Sequence, residues 1–189
     1  MILHNQELLL ELRIKIKNQL SFINKEIKDL PFDTLKFRPA KGKWSILDCI
    51  EHLNLTFDIY LPRVKAAVDS ANKKSNNYSS GFFGDRMVTA MEPIKNTINN
   101  PMQTFRNMNP ERSKRDPRTT IVQFYQYMEA LEEQLLKSED LDLGRPKVKS
   151  AIGLILRFKL GDCYRFLLAH SERHLLQCRK IMRVLATYQ

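Results

Sequence analysis

Four stretches of the chain place apolar residues at steps of three and four, and this spacing limits the fold more than any other feature. An α-helix turns once every 3.6 residues, so such spacing puts the apolar side chains on one helix face. The predicted helices cover about 5–29, a stretch starting after Ser45, about 119–137 and about 162–186. No stretch shows the strict alternation of a half-buried strand. We therefore expect an all-α fold, specifically a four-helix bundle with a long irregular connection between helices 2 and 3.

Each predicted helix has a defined apolar stripe, and two helices have clear boundary signals. The expected core residues are Leu8, Leu12, Ile16, Leu20, Ile23 and Ile27 in helix 1; Ile46, Ile50, Leu53, Phe57 and Tyr60 in helix 2; Ile121, Phe124, Met128, Leu131 and Leu135 in helix 3; and Cys163, Leu167, His170, His174, Ile181 and Leu185 in helix 4. Pro31 is expected to stop helix 1. Ser45 is expected to cap helix 2, with Asp48 closing a capping box. Pro62 is expected to kink or break helix 2, and Trp44 to pack over its start.

The expected connection is residues 72–118, where NKKSNNYSSG, NNP, NMNP and RDP are rich in turn-forming residues. Within it we expect GFFG at 81–84 to be a turn and a short helix to run from about Asp85 to Met91. The segment holds nine basic and four acidic residues, which is half of the formal net charge of +10. No run of five or six basic residues occurs, so a solvated basic connection is favoured over a nucleic-acid surface. A basic connection that covered a pocket would suit an anionic substrate.

Length and composition indicate one soluble domain spanning residues 1–189. Hydrophobic residues make up 43% of the chain and charged residues 28%, as in ordinary globular proteins. The best apolar run, Ala151 to Leu156, is far shorter than the roughly 18 residues that span a membrane. The N-terminus lacks the basic cluster and cleavage site of a signal peptide. The three cysteines have no CxxC spacing and suit a reducing cytosol, so we expect a cytoplasmic protein.

The sequence AHSERHLLQ at 169–177 places two of the four histidines, His170 and His174, in the apolar stripe of helix 4. At about 100° per residue, the two rings lie about 40° apart around the helix and one turn apart along it. Burying neighbouring imidazoles without partners is unfavourable, and a shared divalent metal ion removes that penalty. The same spacing serves zinc-binding helices. Spacing alone leaves an alternative, in which the rings hydrogen-bond to neighbouring groups or reach solvent at the end of the bundle.

A third metal ligand would have to be His4 or His52. His4 lies near the terminus and is expected to be exposed to solvent. His52 lies in the apolar stretch WSILDCIEHL. It is either a hydrogen-bonded core histidine or a residue that faces helix 4 across the bundle.

WSILDCIEHL, followed more than a hundred residues later by AHSERHLLQ, resembles the DinB-like superfamily of bacterial four-helix bundles. Its members often carry Trp-Ser at the start of helix 2, His-Leu near its middle and His-x-x-x-His on the last helix. The resemblance covers most of the chain and is weakest over 72–118. It implies an open metal site formed by His52, His170 and His174, with zinc or nickel as the metal, and it implies a homodimer.

Three neutral imidazoles leave a divalent ion with its full charge and an open position, which is typical of catalytic rather than structural sites. Such an ion would support hydrolysis of a small-molecule substrate or, as in some relatives, transfer of a low-molecular-weight thiol. The sequence does not choose between these reactions. The favoured function is a metal-dependent enzyme, and the alternative is a non-catalytic dimeric stress-response or interaction scaffold. Nucleic-acid binding through 72–118 is the least favoured function.

Two polar residues are candidates to support the metal ligands from outside. Gln177 follows His174 by three residues on the same helix face, so it would hydrogen-bond a ligand or form an ordinary interhelical polar contact. Asp48 lies one turn before His52 and would orient it, although capping at Ser45 is the favoured role. Cys178, one turn beyond His174, is expected to be a small core residue rather than a fourth ligand.

Overall fold

The computed structural model describes residues 2–72, 74–95, 97–98, 103–151, 153 and 155–187. Helices dominate these residues: α1 (Asn5–Phe22), α2 (Phe32–Lys36), α3 (Ile46–Asp69), α4 (Phe82–Met91), α5 (Thr120–Lys137) and α6 (Leu160–Leu185). A π-helical turn over Ile23–Ile27 continues α1. All four predicted long helices are therefore confirmed, as α1, α3, α5 and α6.

The start of α3 follows the predicted capping box. The Ser45 hydroxyl accepts the backbone N–H of Asp48 at 3.1 Å, and the Asp48 carboxylate accepts the backbone N–H of Ser45 at 2.8 Å. These bonds satisfy two donors that a helix start leaves unpaired. Pro62 lies inside α3 and does not break it, because the helix continues to Asp69. The lost backbone bond is offset by packing of residues such as Val64, which is fully buried.

The long helices pack against one another in a pattern that brings α3 and α6 together. Helix α3 contacts both α5 and α6, and α1 contacts the same two helices. The predicted stripes supply the buried core, including Ile16, Phe57, Phe124 and Leu167. Leu185 is only half-buried, because it lies in the last turn of α6. The face-to-face packing of α3 and α6 is what joins the two histidine-bearing stretches of the sequence.

Two small antiparallel strand pairs accompany the helices, although the sequence shows no strand alternation and the expected fold was all-α. Strand β1 (Ile2–His4) pairs with β2 (Asn77–Ser79), and β3 (Lys147–Lys149) pairs with β4 (Arg157–Lys159). Each strand has three residues, which is too short to produce a recognisable alternation in the sequence. Val148 and Phe158 are register partners and are both fully buried. The pairs lie at helix ends, so they tie the connections to the helical core.

The described residues between 72 and 118 include more helix and strand than the expected irregular connection. They contain β2, α4 and 3-10 turns at Arg106–Met108, Pro110–Arg112 and Pro117–Thr119. The prediction that GFFG at 81–84 forms a turn is wrong, because its last three residues begin α4. Helix α4 packs closely on the start of α6, and a Cβ at Gly84 would overlap the Asp162 carboxylate. None of the helices in the described part of the chain is long and apolar enough to cross a membrane.

Candidate metal centre

Three histidine side chains from two helices converge at one point. His52 extends from α3, and His170 and His174 extend from successive turns of α6. The Nε2 atom of His170 lies 3.1 Å from the Nε2 atom of His52 and 3.1 Å from that of His174. All three residues are buried, with exposed fractions of 5%, 8% and 8%. One candidate ligand atom from each lies within 4.8 Å of the others.

Hydrogen bonds to the outer nitrogens fix the tautomers of two of these rings. The Nδ1 atom of His52 lies 2.8 Å from the backbone carbonyl oxygen of Met108. A carbonyl oxygen only accepts, so this Nδ1 carries the proton and Nε2 carries a lone pair. The Nδ1 atom of His174 lies 3.2 Å from the side-chain oxygen of Gln177, which has the same effect. Two lone pairs therefore point toward the Nε2 atom of His170.

His170 completes the cluster and has no such hydrogen bond at its outer nitrogen. Among the described residues, its buried Nδ1 atom has no hydrogen-bond partner. Its ring stacks on Phe166 with centroids 5.7 Å apart and planes 7° apart. A proton on Nε2 of His170 would satisfy only one of the two facing lone pairs at a time. A cation between the rings would satisfy all three nitrogens.

The spacing of the nitrogens fits one divalent ion. Two nitrogens bound at about 2.0–2.1 Å lie about 3.3 Å apart at a tetrahedral angle and about 2.9 Å apart at a right angle. The two distances of 3.1 Å fall between these values. Imidazole is a ligand that zinc, nickel and copper ions all accept. The residues present therefore fit a metal site with three protein ligands.

Burial keeps the three imidazoles neutral at neutral pH. Removal from water lowers the pKa of His52 to about 4, although its bond with Met108 opposes the shift. Burial is also the main cause that lowers the pKa values of His170 and His174 well below the usual range. Repulsion from Arg173, and from a neighbouring histidine whenever that ring is protonated, lowers these pKa values further. Neutral rings have a free lone pair, so protons do not compete with a metal ion there at pH 7.

The histidine cluster lines a cavity of about 460 Å³ that opens between α3, α6 and the connection. Trp44 stands against the cluster, with its ring centroid 5.0 Å from that of His52 and 5.8 Å from that of His174. Residues of the connection, including Phe105 and Met108, form another part of the wall. The volume is in the range of small-molecule binding sites.

Contacts with α3 hold the connection against the cavity. The Ser113 hydroxyl donates to the Glu51 carboxylate at 2.6 Å, and Arg115 forms ion pairs with Glu51 and Asp58. Glu51 is the residue before His52, and it is 6% exposed. These contacts place the 3-10 turns so that the Met108 carbonyl reaches the His52 ring.

A family model described as the DinB superfamily matches residues 23–178. The chain belongs to the DinB superfamily. This match covers most of the sequence and includes all three clustered histidines. Comparisons with curated proteins and with solved structures gave no match.

The other residues singled out in this DinB superfamily member have distinct positions. Gln177 contacts His174, as described above. The Asp48 carboxylate binds Ser45 and Arg38, so its position is that of a capping residue. Cys178 is fully buried in the core, and His4 is exposed.

Sequence reasoning missed several residues around the cluster, including Met108 and Trp44. Met108 contributes a backbone carbonyl, which no side-chain pattern reveals. Trp44 was expected only to pack over the start of α3, yet its ring also lines the cavity. The only sequence feature that could have indicated a role for Trp44 in the site was the Trp-Ser pair at the start of the helix, which is part of the family resemblance.

Proposed function

We propose that this DinB superfamily protein binds one divalent metal ion, zinc or nickel, through His52, His170 and His174. We further propose that it is a metal-dependent enzyme acting on a small molecule. One observation carries the proposal: three buried, neutral imidazoles converge at the wall of a cavity large enough for a substrate. A protein that kept the cluster only for stability would gain more from apolar residues of similar volume.

The proposed reaction is hydrolysis or thiol transfer. When bound, a divalent ion with three protein ligands supplies Lewis-acid chemistry at its remaining position. The chain itself orients the ligands: Met108 holds the His52 ring, and Gln177 holds the His174 ring. Trp44 and Phe166 flank the cluster and exclude water from part of it. Such a wall strengthens electrostatic interactions with a substrate inside the cavity.

We also propose that the four long helices form a four-helix bundle and that residues 1–189 form a single domain. The four-helix bundle is supported by the packing of α1 and α3, each of which contacts both α5 and α6. The single domain is supported by one hydrophobic core cluster to which all six helices contribute. A cytoplasmic location is supported by three buried free cysteines. A homodimer is supported by the family resemblance, and light scattering after size-exclusion chromatography tests it.

Metal content measured by plasma mass spectrometry tests the proposed site. Tag-free protein is expected to carry about one zinc or nickel ion per chain after incubation with either metal, and His170→Ala is expected to lose it. His4→Ala is the matched control, because His4 is exposed and lies outside the cluster. Equal metal content in all three proteins, or no metal in any, would contradict the proposal.

An activity screen separates an enzyme from a scaffold. Metal-loaded protein is assayed with panels of ester, amide and thiol-transfer substrates, beside His170→Ala. Turnover that disappears in the variant supports the enzyme. A protein that binds metal and turns over none of the panel would favour the non-catalytic scaffold.

A further inference from the structure

The charged residues that line the cavity beside the histidine cluster have one sign. They are Lys43 and Arg173, and no Asp or Glu lines the cavity in the part of the chain that the structure describes. The histidines add no negative charge, because an imidazole side chain is either neutral or positively charged. A divalent ion held by them would make the cavity more positive still. Such a cavity concentrates anions and repels cations.

Arg173 is built into the wall rather than extended into solvent. It precedes His174 on α6, and only 6% of the residue is exposed. It lines the same cavity as His170 and His174, so its charge lies beside the cluster. Arginine remains protonated in proteins, so the buried side chain brings a permanent positive charge to the cavity. A guanidinium has five N–H donors, and two of them are enough to bind a carboxylate or phosphoryl group at two points.

The rest of the lining is suited to an apolar group. Trp44, Phe105, Met108 and Phe166 contribute aromatic or sulfur-containing surface. Neutral polar side chains such as Thr56 and Gln103 complete the wall. Ligand cavities combine mostly apolar surface with a few polar groups that orient the ligand.

We propose that the substrate is an anion with an apolar body, and that Arg173 binds its carboxylate or phosphoryl group beside the histidine cluster. Arg173 is then a binding residue that sets specificity and orientation, and Lys43 at the exposed rim attracts the anion. This inference rests on the proposed function for the identity of the reacting centre. The anion site itself depends only on the charge and burial of the cavity wall.

Binding of matched probes tests the proposal. The probes are 4-phenylbutanoate, 3-phenylpropylphosphonate and the uncharged 4-phenylbutanamide, which share a phenylalkyl body. Trp44 is the only tryptophan in the chain and lines the cavity, so its fluorescence reports binding directly. Each probe is titrated into zinc-loaded and zinc-free protein. We expect at least one anionic probe to bind about 10- to 100-fold more tightly than the amide. The tighter of the two anions identifies the substrate's charged group.

Variants of Arg173 assign the preference to this residue. Arg173→Gln is expected to remove most of the preference for the anion while leaving amide binding within about threefold. Arg183→Gln is the control, because it removes the same charge from an exposed position in the last turn of α6. If Arg173→Gln fails to fold, Arg173→Lys carries the test. It keeps the charge but loses the two-point geometry, so an intermediate loss of about 3- to 10-fold is expected.

The outcomes separate this inference from the proposed function. The inference would be overturned if the protein binds one metal ion per chain but shows no preference for the anionic probes. It would also be overturned if Arg173→Gln and Arg183→Gln reduce that preference equally. In both cases the proposed metal site would still hold. Protein that binds no metal but retains an Arg173-dependent preference would support the inference and contradict the proposed function. Anion preference that requires both Arg173 and the metal supports both.

Discussion

Gln177 tests whether hydrogen bonding outside the cluster prepares the histidines for metal. The structure gives one bond to remove, from the Nδ1 proton of His174 to the Gln177 side-chain oxygen at 3.2 Å. This distance is at the long end for an N–H···O bond, so a modest effect is expected. Loss of such an outer partner weakens metal binding by about 10- to 100-fold, and the long bond favours the lower end. We therefore expect Gln177→Leu to weaken zinc affinity about tenfold, or by about 1.4 kcal/mol.

A competition titration against a chromophoric zinc chelator measures this change. Gln177→Glu is the informative companion, because a carboxylate accepts the same proton in a stronger, charge-assisted bond. Its zinc affinity is expected to equal or exceed that of the wild type. Zinc affinity that decreases from Gln177→Glu through wild type to Gln177→Leu would show that the hydrogen bond to His174 Nδ1 strengthens metal binding. Zinc affinity of the Leu variant within twofold of wild type would refute the reasoning, as would equal losses in both variants.

Two further predictions concern the stability of the fold. In metal-free protein the pKa of His52 is about 4 against a usual value of 6.5, so only the unfolded chain takes up this proton between these pH values. The free energy of unfolding should fall as pH decreases from 6.5 to 4, by on the order of 3 kcal/mol from this residue. Urea unfolding at several pH values measures it, and His52→Asn should show a smaller slope; an unchanged slope would contradict the assignment. Gly84→Ala would drive a methyl group into the Asp162 carboxylate and should lower the unfolding free energy by about 1–3 kcal/mol. Gly42 is exposed but unsuitable as a control position, because its φ is +72° and an alanine there would be strained. The control is therefore Thr89→Ala, on the same helix as Gly84. Equal unfolding free energies of the Gly84→Ala and Thr89→Ala variants would count against the close contact between Gly84 and Asp162.

The sequence predicted the long helices well because their stripes have many members. Residues such as Leu12, Phe57 and Phe124 repeat at the helical period and are all buried. The capping box at Ser45 was also predicted, since its two partners are close in sequence. The three-residue strands and the early start of α4 were missed. Their positions depend on contacts with distant residues such as Asp162, which local patterns do not contain.

The candidate site was predicted only in part, for a related reason. His170 and His174 were identified from their spacing, and His52 was added by the family resemblance; the structure brings all three together. Their function as metal ligands remains a proposal. Arg173 stood in the middle of the same motif, but a charged residue on a helix is usually exposed. Its burial follows from the packing of the cavity wall, which the motif does not encode.

Because the connection is anchored to α3, the position of the histidines and the shape of the cavity wall are set by different parts of the chain. In many binding sites one segment sets both. The cluster is held by the rigid helices α3 and α6, whereas part of the cavity wall comes from a segment fixed by Ser113 and Arg115. Changes at wall residues of this segment such as Gln103 and Phe105 can therefore alter the shape of the cavity without moving the histidine backbone. The Met108 carbonyl is the exception, because it belongs to the wall and also holds His52. Directed evolution that varies the wall while keeping the turn at Arg106–Met108 would be a direct route to altered ligand preference in this scaffold.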